Sequence, residues 1–200
     1  MEYNQEVAFI NRNSELNYLN MFLNKRPSEI LFIYGPKSSG KTTLLYRLIE
    51  QIEAGKEFDV KILNLRNILI CNYDDFLRTM FKTETLIETK EGTKRQYNIF
   101  GLFKLDAITE KSLKEKREDP FLVMKRELVE LNENGIKPII IIDELQALQD
   151  IYMNGQRQII IELFNFFVSI TKESHLAHVI ISSSDGYFIE KVYEDSRLRK

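Results

Sequence analysis

The sequence GPKSSGKT at Gly35–Thr42 decides the fold of this chain, because it satisfies the pattern G-x-x-x-x-G-K-[ST] in suitable surroundings. An apolar run, Ile30–Tyr34, precedes it, and the following residues, Thr42–Ala54, carry apolar side chains at helical spacing. Glycines let the backbone close into a ring whose N–H groups point inward, next to the positive end of the helix dipole. The stretch therefore predicts a phosphate-binding loop between a strand and a helix.

The side chains of this loop suit a nucleoside triphosphate with Mg²⁺. Lys41 can bridge β- and γ-phosphate oxygens, the Thr42 hydroxyl can enter the octahedral shell of Mg²⁺, and a Cβ at Gly40 is expected to crowd the ring. ATP is favoured over GTP because the guanine-recognising pattern N-K-x-D is absent, Asn24–Pro27 being NKRP. The residues predicted to bind the nucleotide are Gly35, Pro36, Lys37, Ser38, Ser39, Gly40, Lys41, Thr42 and Thr43.

A second signal is IIIIDELQ at Ile139–Gln146, where an apolar strand ends in two adjacent carboxylates. Because successive side chains of a strand point in different directions, each carboxylate can have its own role. Asp143 is predicted to hold Mg²⁺ through its waters, and Glu144 to polarise a water in line with the γ-phosphate. An isolated Asp-Glu pair after a strand would more simply cap a helix, but the upstream phosphate loop favours the catalytic interpretation.

The whole sequence alternates helical patterns with short apolar runs, which predicts an α/β fold with a mostly parallel sheet in one domain, residues 1–200. Residues 82–119 interrupt this pattern and are predicted to be a charged insertion or excursion. The predicted strands are Ile30–Tyr34, Val60–Leu65, Pro138–Ile142 and Ala177–Ile181. The first predicted helix begins near Asn13 or Ser14. The other predicted helices are Thr42–Ala54, Asp74–Phe81, Phe121–Leu131, Arg157–Lys172 and Tyr187–Tyr193.

Composition excludes several classes of protein. The 200 residues are 44% hydrophobic and carry 28 basic against 30 acidic side chains, so the net charge of −2 favours neither nucleic acid nor an anionic membrane. No apolar stretch reaches the length of a membrane span, and the N-terminus does not resemble a signal peptide. The single cysteine, Cys71, cannot form an internal disulfide and is expected to be buried. A cytoplasmic protein without a membrane or nucleic-acid partner is expected.

Four segments together resemble the archaeal ATPases related to the STAND and AAA+ branches of the P-loop NTPases, within the additional-strand, catalytic-glutamate division. They are FINRNSEL at Phe9–Leu16, the phosphate loop, the strand with DELQ, and VIISSSDGYFIE at Val179–Glu190. The resemblance implies a three-layer core. It also implies that Asn11 and Arg12 lie near the adenine, and that Ser182–Ser184 match the sensor of the γ-phosphate, with Ser183 the chosen residue.

Members of that family usually continue into a fifth core strand, a helical lid and a winged helix, whereas this sequence stops at Lys200. The resemblance implies that the fifth strand would lie beside Ile30–Tyr34. We therefore expect an open apolar sheet edge there, covered by a protein partner or by a missing C-terminal region.

Three functions fit these observations. The first is a Mg-dependent ATPase that acts as a nucleotide-driven conformational switch, with Lys41, Glu144 and Ser183 as catalytic residues and Thr42 and Asp143 at the metal. The second is a module that binds ATP or ADP with little turnover, as absence of the lid would favour. The third is a small-molecule P-loop kinase, which would need an arginine-bearing lid and an acceptor pocket.

Overall fold

Four parallel strands form the central sheet of the computed structural model, which describes residues 12–52, 57–83, 102–105, 107–115, 118–153, 155 and 157–194. The order across this sheet is β1 (Ile30–Tyr34), β8 (His178–Ser183), β5 (Lys137–Asp143) and β2 (Phe58–Asn64). β5 and β8 are completely buried apart from Lys137, as expected for the two inner strands of a parallel sheet covered on both faces.

Helices cover both faces of the sheet, which confirms the predicted three-layer α/β fold. The helices are α1 Asn13–Leu23, α2 Lys41–Ile52, α3 Tyr73–Met80, α4 Ala107–Lys114, α5 Pro120–Glu133, α6 Ile159–Val168 and α7 Gly186–Glu194. Side chains alternate along β5, so Ile139 and Ile141 pack against α1 and α2, whereas Ile140 and Ile142 pack in a second cluster with α3, α5 and α6.

The register of the sheet brings three polar side chains into one row. Asn64, Asp143 and Ser182 are direct partners across β2, β5 and β8. Ile62, Ile141 and Ile180, two residues before them, all pack in the cluster of α1 and α2. The row therefore faces the layer that contains α2 and the phosphate loop, at the carboxyl ends of the strands.

The segment between β2 and β5 contains short elements that the sequence did not predict. Strands β3 (Phe81–Thr83) and β4 (Phe103–Leu105) pair in parallel, and α4 follows. Buried Lys61 on β2 lies 2.6 Å from Glu127 of α5, and the second carboxylate oxygen of Glu127 accepts from the Lys104 amide at 2.7 Å. The described part of the charged excursion is thus attached to the core.

Several element bounds differ from the sequence prediction. Strand β8 continues to Ser183, so two serines predicted to lie in a loop belong to the strand. Helix α6 ends at Val168 and is followed by a π-helical turn, Ser169–Glu173, and a hairpin of β6 (Tyr152–Met153) and β7 (Arg157–Gln158) precedes it. The prediction that Cys71 is buried is wrong: its side chain is exposed, in the loop before α3.

Strand β1 forms an edge of the four-stranded sheet. Its residues are only half-buried, and Tyr34 at its end is 69% exposed. An apolar groove of about 420 Å³ runs between α1 and this edge, lined by Ser14, Glu15, Tyr18, Leu19, Leu31, Phe32, Ile33, Tyr34 and Leu44. The expected open apolar edge is therefore present in the described chain. No helix among the described residues is long and apolar enough to cross a membrane.

Candidate functional site

The loop Gly35–Gly40 joins β1 directly to α2, as the sequence predicted. Ser38 and Gly40 have positive φ, 62° and 81°, which tightens the turn before the helix begins at Lys41. A Cβ added at Gly40 would meet nothing nearer than the Arg12 guanidinium, at 3.8 Å. Glycine is therefore required here by backbone conformation, and not by the crowding that the sequence had suggested.

Lys41 is folded onto its own loop. Its ammonium group donates to the carbonyl oxygens of Gly35 at 2.8 Å and Pro36 at 3.0 Å, and the residue is 6% exposed. These acceptors are replaceable, because a mobile ammonium can exchange carbonyl oxygens for the oxygens of an arriving phosphate. The predicted phosphate-binding lysine is thus positioned within the loop.

Asp143 lies at the end of β5 beside the first turn of α2. Its Oδ2 accepts from the Thr42 hydroxyl at 2.7 Å and from the Asn64 amide at 3.3 Å. Its Oδ1 is buried with no hydrogen-bond partner among the described residues. Because an unpaired buried carboxylate oxygen is costly, this atom suits a cation ligand, and the structure brings the two predicted metal-site residues into contact.

Mg²⁺ fits this pair of oxygens. Among the described residues no group of three or more His, Cys, Asp and Glu side chains could hold a metal ion. Mg²⁺ is commonly held by only one or two protein oxygens, with waters and substrate phosphates supplying the rest of its shell. Thr42 and the free oxygen of Asp143 meet that requirement next to the phosphate loop.

Glu144 follows Asp143 but lies in different surroundings. Its backbone is left-handed, with φ 61° and ψ 46°, and its amide donates to the Ser182 carbonyl at 2.8 Å. The buried carboxylate accepts from the Arg66 guanidinium, from the Gln146 side-chain amide, and from Ser184 through its hydroxyl at 2.7 Å and its backbone N–H at 3.3 Å. The two adjacent carboxylates therefore have separate partners, as the sequence predicted.

The pKa of Glu144 is lowered from its ordinary value. Burial by itself raises this pKa, but hydrogen bonds from Ser184 and Gln146, together with the positive charge of Arg66, outweigh burial. The carboxylate is therefore ionised at neutral pH, the state in which it can accept a proton from water.

Among the described residues, no hydrogen bond joins Ser183 to either carboxylate. Its hydroxyl donates to the Gln146 side chain at 2.8 Å and accepts from the Asp185 amide at 3.0 Å. By strand alternation it faces away from the row of Asn64, Asp143 and Ser182. Its sensor role stays a prediction. Two neighbours are nearer the carboxylates: Ser184 binds Glu144, and Ser182 has a buried hydroxyl with no partner among the described residues.

Of the two residues predicted near the adenine, Arg12 contacts the phosphate loop. Arg12 lies directly before α1, and its guanidinium donates to the Ser39 carbonyl oxygen. Asn11 lies outside the described residues. The contact of Arg12 connects the chain entering α1 with the loop, and its relation to a base stays a prediction.

The contacts of Asn64 and Arg66 with the two carboxylates were not predicted from the sequence. Asn64 contacts Asp143, and its side chain also accepts from the Arg66 amide at 3.0 Å, while Arg66 pairs with Glu144. One signal was present: Asn64 ends β2 and Arg66 follows it, and the carboxyl ends of parallel strands lie at the same edge of the sheet as that of β5. Strand order decides whether such residues meet, and the sequence alone did not supply it.

A phosphate loop, a buried aspartate beside its threonine, and a sheet of order β1-β8-β5-β2 define the core of a P-loop NTPase. The chain belongs to the family of ATPase domains found predominantly in Archaea, whose pattern it matches over residues 9–200. Two similar relatives, both uncharacterised ATP-binding proteins of Methanocaldococcus jannaschii, are 38% and 40% identical to it over 209 and 196 residues. Each alignment covers 96% of this chain but only 57% and 56% of the relative, so the chain spans about half the length of the curated relatives it matches.

Solved structures share the fold. A Walker-type ATPase of Pyrococcus abyssi superimposes with a TM-score of 0.59 at 16% identity, over 94% of this chain and 50% of its own. The ORC2 protein of Aeropyrum pernix gives 0.54 at 18% identity, over 92% and 44%. At these identities the likeness concerns the fold alone, and it agrees with the predicted α/β architecture with a mostly parallel sheet.

Proposed function

We propose that this chain binds ATP with Mg²⁺ and hydrolyses it, with Glu144 as the group that activates water. The observation that carries this proposal is the contact between Thr42 and Asp143, which brings the phosphate loop to the paired carboxylates at the end of β5. Relatives named ATP-binding proteins support the choice of nucleotide.

Binding begins at the loop. Backbone N–H groups of Gly35–Gly40 and the start of α2 would surround the β-phosphate, and Lys41 would exchange the carbonyls of Gly35 and Pro36 for β- and γ-phosphate oxygens. Thr43 would reach the α-phosphate, and Arg12, with Asn11, would lie towards the base. The contacts with the phosphates use groups of the loop and of the first turn of α2.

Thr42 and Asp143 would hold the metal. Bound Mg²⁺ would neutralise charge on the β- and γ-phosphates. The Thr42 hydroxyl now donates to Asp143, so it would turn one lone pair towards the ion while keeping that hydrogen bond. Asn64, which donates to the same oxygen as Thr42, would help to hold the carboxylate in place.

Glu144 would accept a proton from the attacking water. Its carboxylate is ionised and buried, and it follows the metal-holding Asp143 in the chain. The two acids can therefore act on the same phosphate, Asp143 through the metal and Glu144 through the water. Ser184 and Gln146 keep its position fixed on one side. Ser183, bound to Gln146, would sense the γ-phosphate through that amide.

A switch follows from the same contacts. Glu144 connects the ends of β5 and β8 with the turn after β2, since Ser184 and Arg66 both bind its carboxylate. A γ-phosphate that engages Glu144 would change contacts at all three strand ends, and its release after hydrolysis would restore them. We propose that this difference is transmitted to a partner or to further parts of a longer protein.

The open edge at β1 is the proposed docking surface for that partner. Its half-buried apolar side chains, the groove beside α1 and the exposed Tyr34 present apolar area to a partner. A strand added to this edge would lie next to the strand that leads into the phosphate loop. Occupation of the edge would therefore be coupled to the nucleotide.

A second candidate function is a module that binds ATP or ADP with little turnover. The specific observation in its favour is that the Glu144 carboxylate already accepts hydrogen bonds from Arg66, Gln146 and Ser184. Measurement of phosphate release separates the two functions, because both predict nucleotide binding and only the first predicts turnover.

Nucleotide binding is tested with Lys41→Ala. This variant should lose ATP affinity by at least about 100-fold, since it removes the charge that contacts two phosphates. Arg47→Ala on the same helix is the matched control: Arg47 is 53% exposed and paired with Glu50, so its loss should leave ATP affinity unchanged. Equal ATP affinity in the wild type and Lys41→Ala, measured by calorimetry with Mg²⁺, would contradict the proposed site.

A further inference from the structure

A short apolar segment, residues 68–71, links the turn after β2 to helix α3. Ile68 enters it with extended backbone, φ −127° and ψ 127°. Ile68 and Ile70 pack against the cluster of α3, α5 and α6, whereas Leu69 and Cys71 are exposed. Leu69 is 84% exposed, more than any other large apolar side chain of the described residues. Side chains that alternate in this way are typical of a strand with one covered face.

The backbone of the apolar segment is held at its two ends. The amide of Ile68 donates to the Leu65 carbonyl at 3.5 Å, and the amide of Cys71 donates to the Asp75 carboxylate at 3.0 Å. Between them, the backbone of Leu69 and Ile70 forms no hydrogen bond with another described residue. Extended backbone whose N–H and C=O groups are available pairs with an added strand. The middle of the segment therefore suits an extended peptide.

Negative charge lies where the apolar segment meets α3. Burial raises the pKa of Tyr73, and the charges of Asp119 and Asp74 raise this pKa further, so both carboxylates lie near the phenol. Both aspartates are exposed, and neither pairs with a cation among the described residues, since Arg78 pairs with Asp75. A lysine or arginine of a partner would find complementary charge and an aromatic ring here.

We propose that residues 68–71 are the docking site for an extended, basic peptide segment of a partner protein. The peptide pairs with the backbone of Leu69 and Ile70, covers the Leu69 side chain and brings a lysine or arginine to Asp74 and Asp119. The apolar contact supplies affinity, and the charges select basic partners.

This docking site is distinct from the surface proposed at β1. The apolar segment follows β2, and β1 and β2 form opposite edges of the four-stranded sheet. A partner bound here would leave the β1 edge free. The inference goes beyond the proposed ATPase and does not depend on hydrolysis.

Fluorescent peptides provide the probe. Two short peptides of alternating Val and Thr carry a pair of Lys residues, one at its amino end and the other at its carboxyl end, so that both directions of pairing are sampled. Matched peptides carry Glu in place of Lys. Fluorescence anisotropy measures their binding to the wild type, Leu69→Ser, Asp74→Asn and Met21→Ser. Met21 is the matched control, an exposed apolar residue of α1, which packs on the other face of the sheet.

At least one Lys peptide should bind the wild type, and the Glu peptides should bind at least about tenfold more weakly. Leu69→Ser should weaken binding of the Lys peptide by about tenfold, because it removes the apolar anchor. Asp74→Asn should weaken it by about threefold at low salt, with a smaller effect at high salt. Met21→Ser should bind as the wild type does.

Two local readouts test the pairing itself. Cys71 is the only cysteine of the chain and is exposed, so the bound Lys peptide should slow its alkylation by a maleimide. Hydrogen exchange of the Leu69 and Ile70 amides should slow as well, which a contact through side chains alone would not cause.

The inference is overturned if neither Lys peptide binds the wild type, or if Leu69→Ser binds equally well. An equal loss in Met21→Ser, or binding that leaves exchange at Leu69 and Ile70 unchanged, also contradicts it. Self-association that light scattering detects in the wild type but not in Leu69→Ser, without peptide binding, would make a second copy of this chain the occupant instead. Failure of the proposed hydrolysis would not alter these outcomes, because the assay contains no nucleotide.

Discussion

Adjacent residues at the end of β5 have chemically distinct carboxylates. Asp143 leaves one buried oxygen unpaired beside Thr42, whereas Glu144 is surrounded by donors that lower its pKa. The difference arises from the backbone: Asp143 is the last strand residue, and Glu144 turns into the left-handed region. A metal ligand and a base can thus occupy neighbouring positions without competing.

Gly40→Ala tests the backbone requirement of the phosphate loop. Alanine at φ 81° should lower the free energy of unfolding by about 1 kcal/mol, and the distorted N–H groups should weaken ATP binding. Gly135→Ala is the control, because Gly135 has φ 75°, lies after α5 and would place its Cβ in open space. Urea unfolding should show an equal loss of stability in the two variants. Calorimetry should show reduced ATP affinity in Gly40→Ala alone. Unaltered ATP affinity in Gly40→Ala would contradict the predicted role of the loop.

At this scale the sequence predicted the residues whose types and spacing are imposed by phosphate chemistry. Thr42 and Asp143 are in contact as expected, whereas Lys41 binds carbonyl oxygens of its own loop and Glu144 has partners of its own. Arg66 and Ser184 could not be assigned the same way, since they contact Glu144 only because of strand order and the direction of one turn. An arginine after a strand is ordinarily solvated, and nothing in its neighbours along the chain indicates the contact.

Between elements, the end of α1 packs against β8 through a histidine. His178 is 1% exposed, and its ring lies 5.0 Å from that of Phe22 in an edge-to-face arrangement. Burial lowers the pKa of His178 to about 4, with nearby Lys137 acting in the same direction, although the backbone of Lys25 and Leu23 partly opposes the shift. The neutral imidazole is therefore part of the interface between helix and sheet.

This interface should make the fold sensitive to acid. An unfolded histidine titrates near pH 6.5, so between about pH 6.5 and 4 the unfolded chain binds a proton that the folded chain refuses. The contribution of the neutral His178 imidazole to the free energy of unfolding is complete above about pH 6.5. It declines as the pH falls, by up to about 1.4 kcal/mol per pH unit. Urea unfolding should show that the free energy of unfolding falls less between about pH 7 and pH 5 in His178→Leu than in the wild type.

His175→Asn is the matched variant for this prediction. His175 is the other histidine of the chain, and its positive φ of 53° is one that asparagine tolerates. It should retain the wild-type acid dependence. Identical losses in His178→Leu and the wild type would show that the buried imidazole does not set the response.

Elements with strong apolar periodicity were predicted well, and elements made by tertiary contacts were not. Helix α2 and strand β5 match the prediction to within two residues wherever the structure describes them, because their sequences are apolar on the required faces. Strands β3 and β4 have three residues each and lie in a charged segment, so they carry no periodic signal. The extension of β8 into its serines follows from pairing with β1 and β5.

For the whole molecule, the nucleotide should act as a stabilising ligand. ATP at about 100 times its Kd adds about 2.7 kcal/mol to the free energy of unfolding, which corresponds to a rise of about 5 to 10 °C in Tm for a chain of this size. Thermal unfolding with and without Mg-ATP measures this shift. Lys41→Ala should show none, and an equal rise in that variant would place the nucleotide elsewhere.

The open edge also has a consequence for the whole molecule. Apolar side chains at the edge of a sheet favour association with another chain. Ile33→Lys, at the groove beside β1, should reduce association with a longer partner chain or with a second copy, as seen by light scattering. Tyr152→Lys, which changes an exposed side chain on the hairpin of β6 and β7, should not. The same association in both variants would mean that the edge is not the contact surface.

The most direct test compares ATP affinity and phosphate release of the wild type with those of Glu144→Gln, in the presence of Mg²⁺. Glutamine keeps the size of the side chain but cannot take a proton from water. We predict ATP affinity within about threefold of the wild type and phosphate release slower by at least about 100-fold. Phosphate release at the wild-type rate in Glu144→Gln, or equal loss of ATP affinity in Glu144→Gln and Lys41→Ala, would contradict the division of roles between the phosphate loop and the carboxylates.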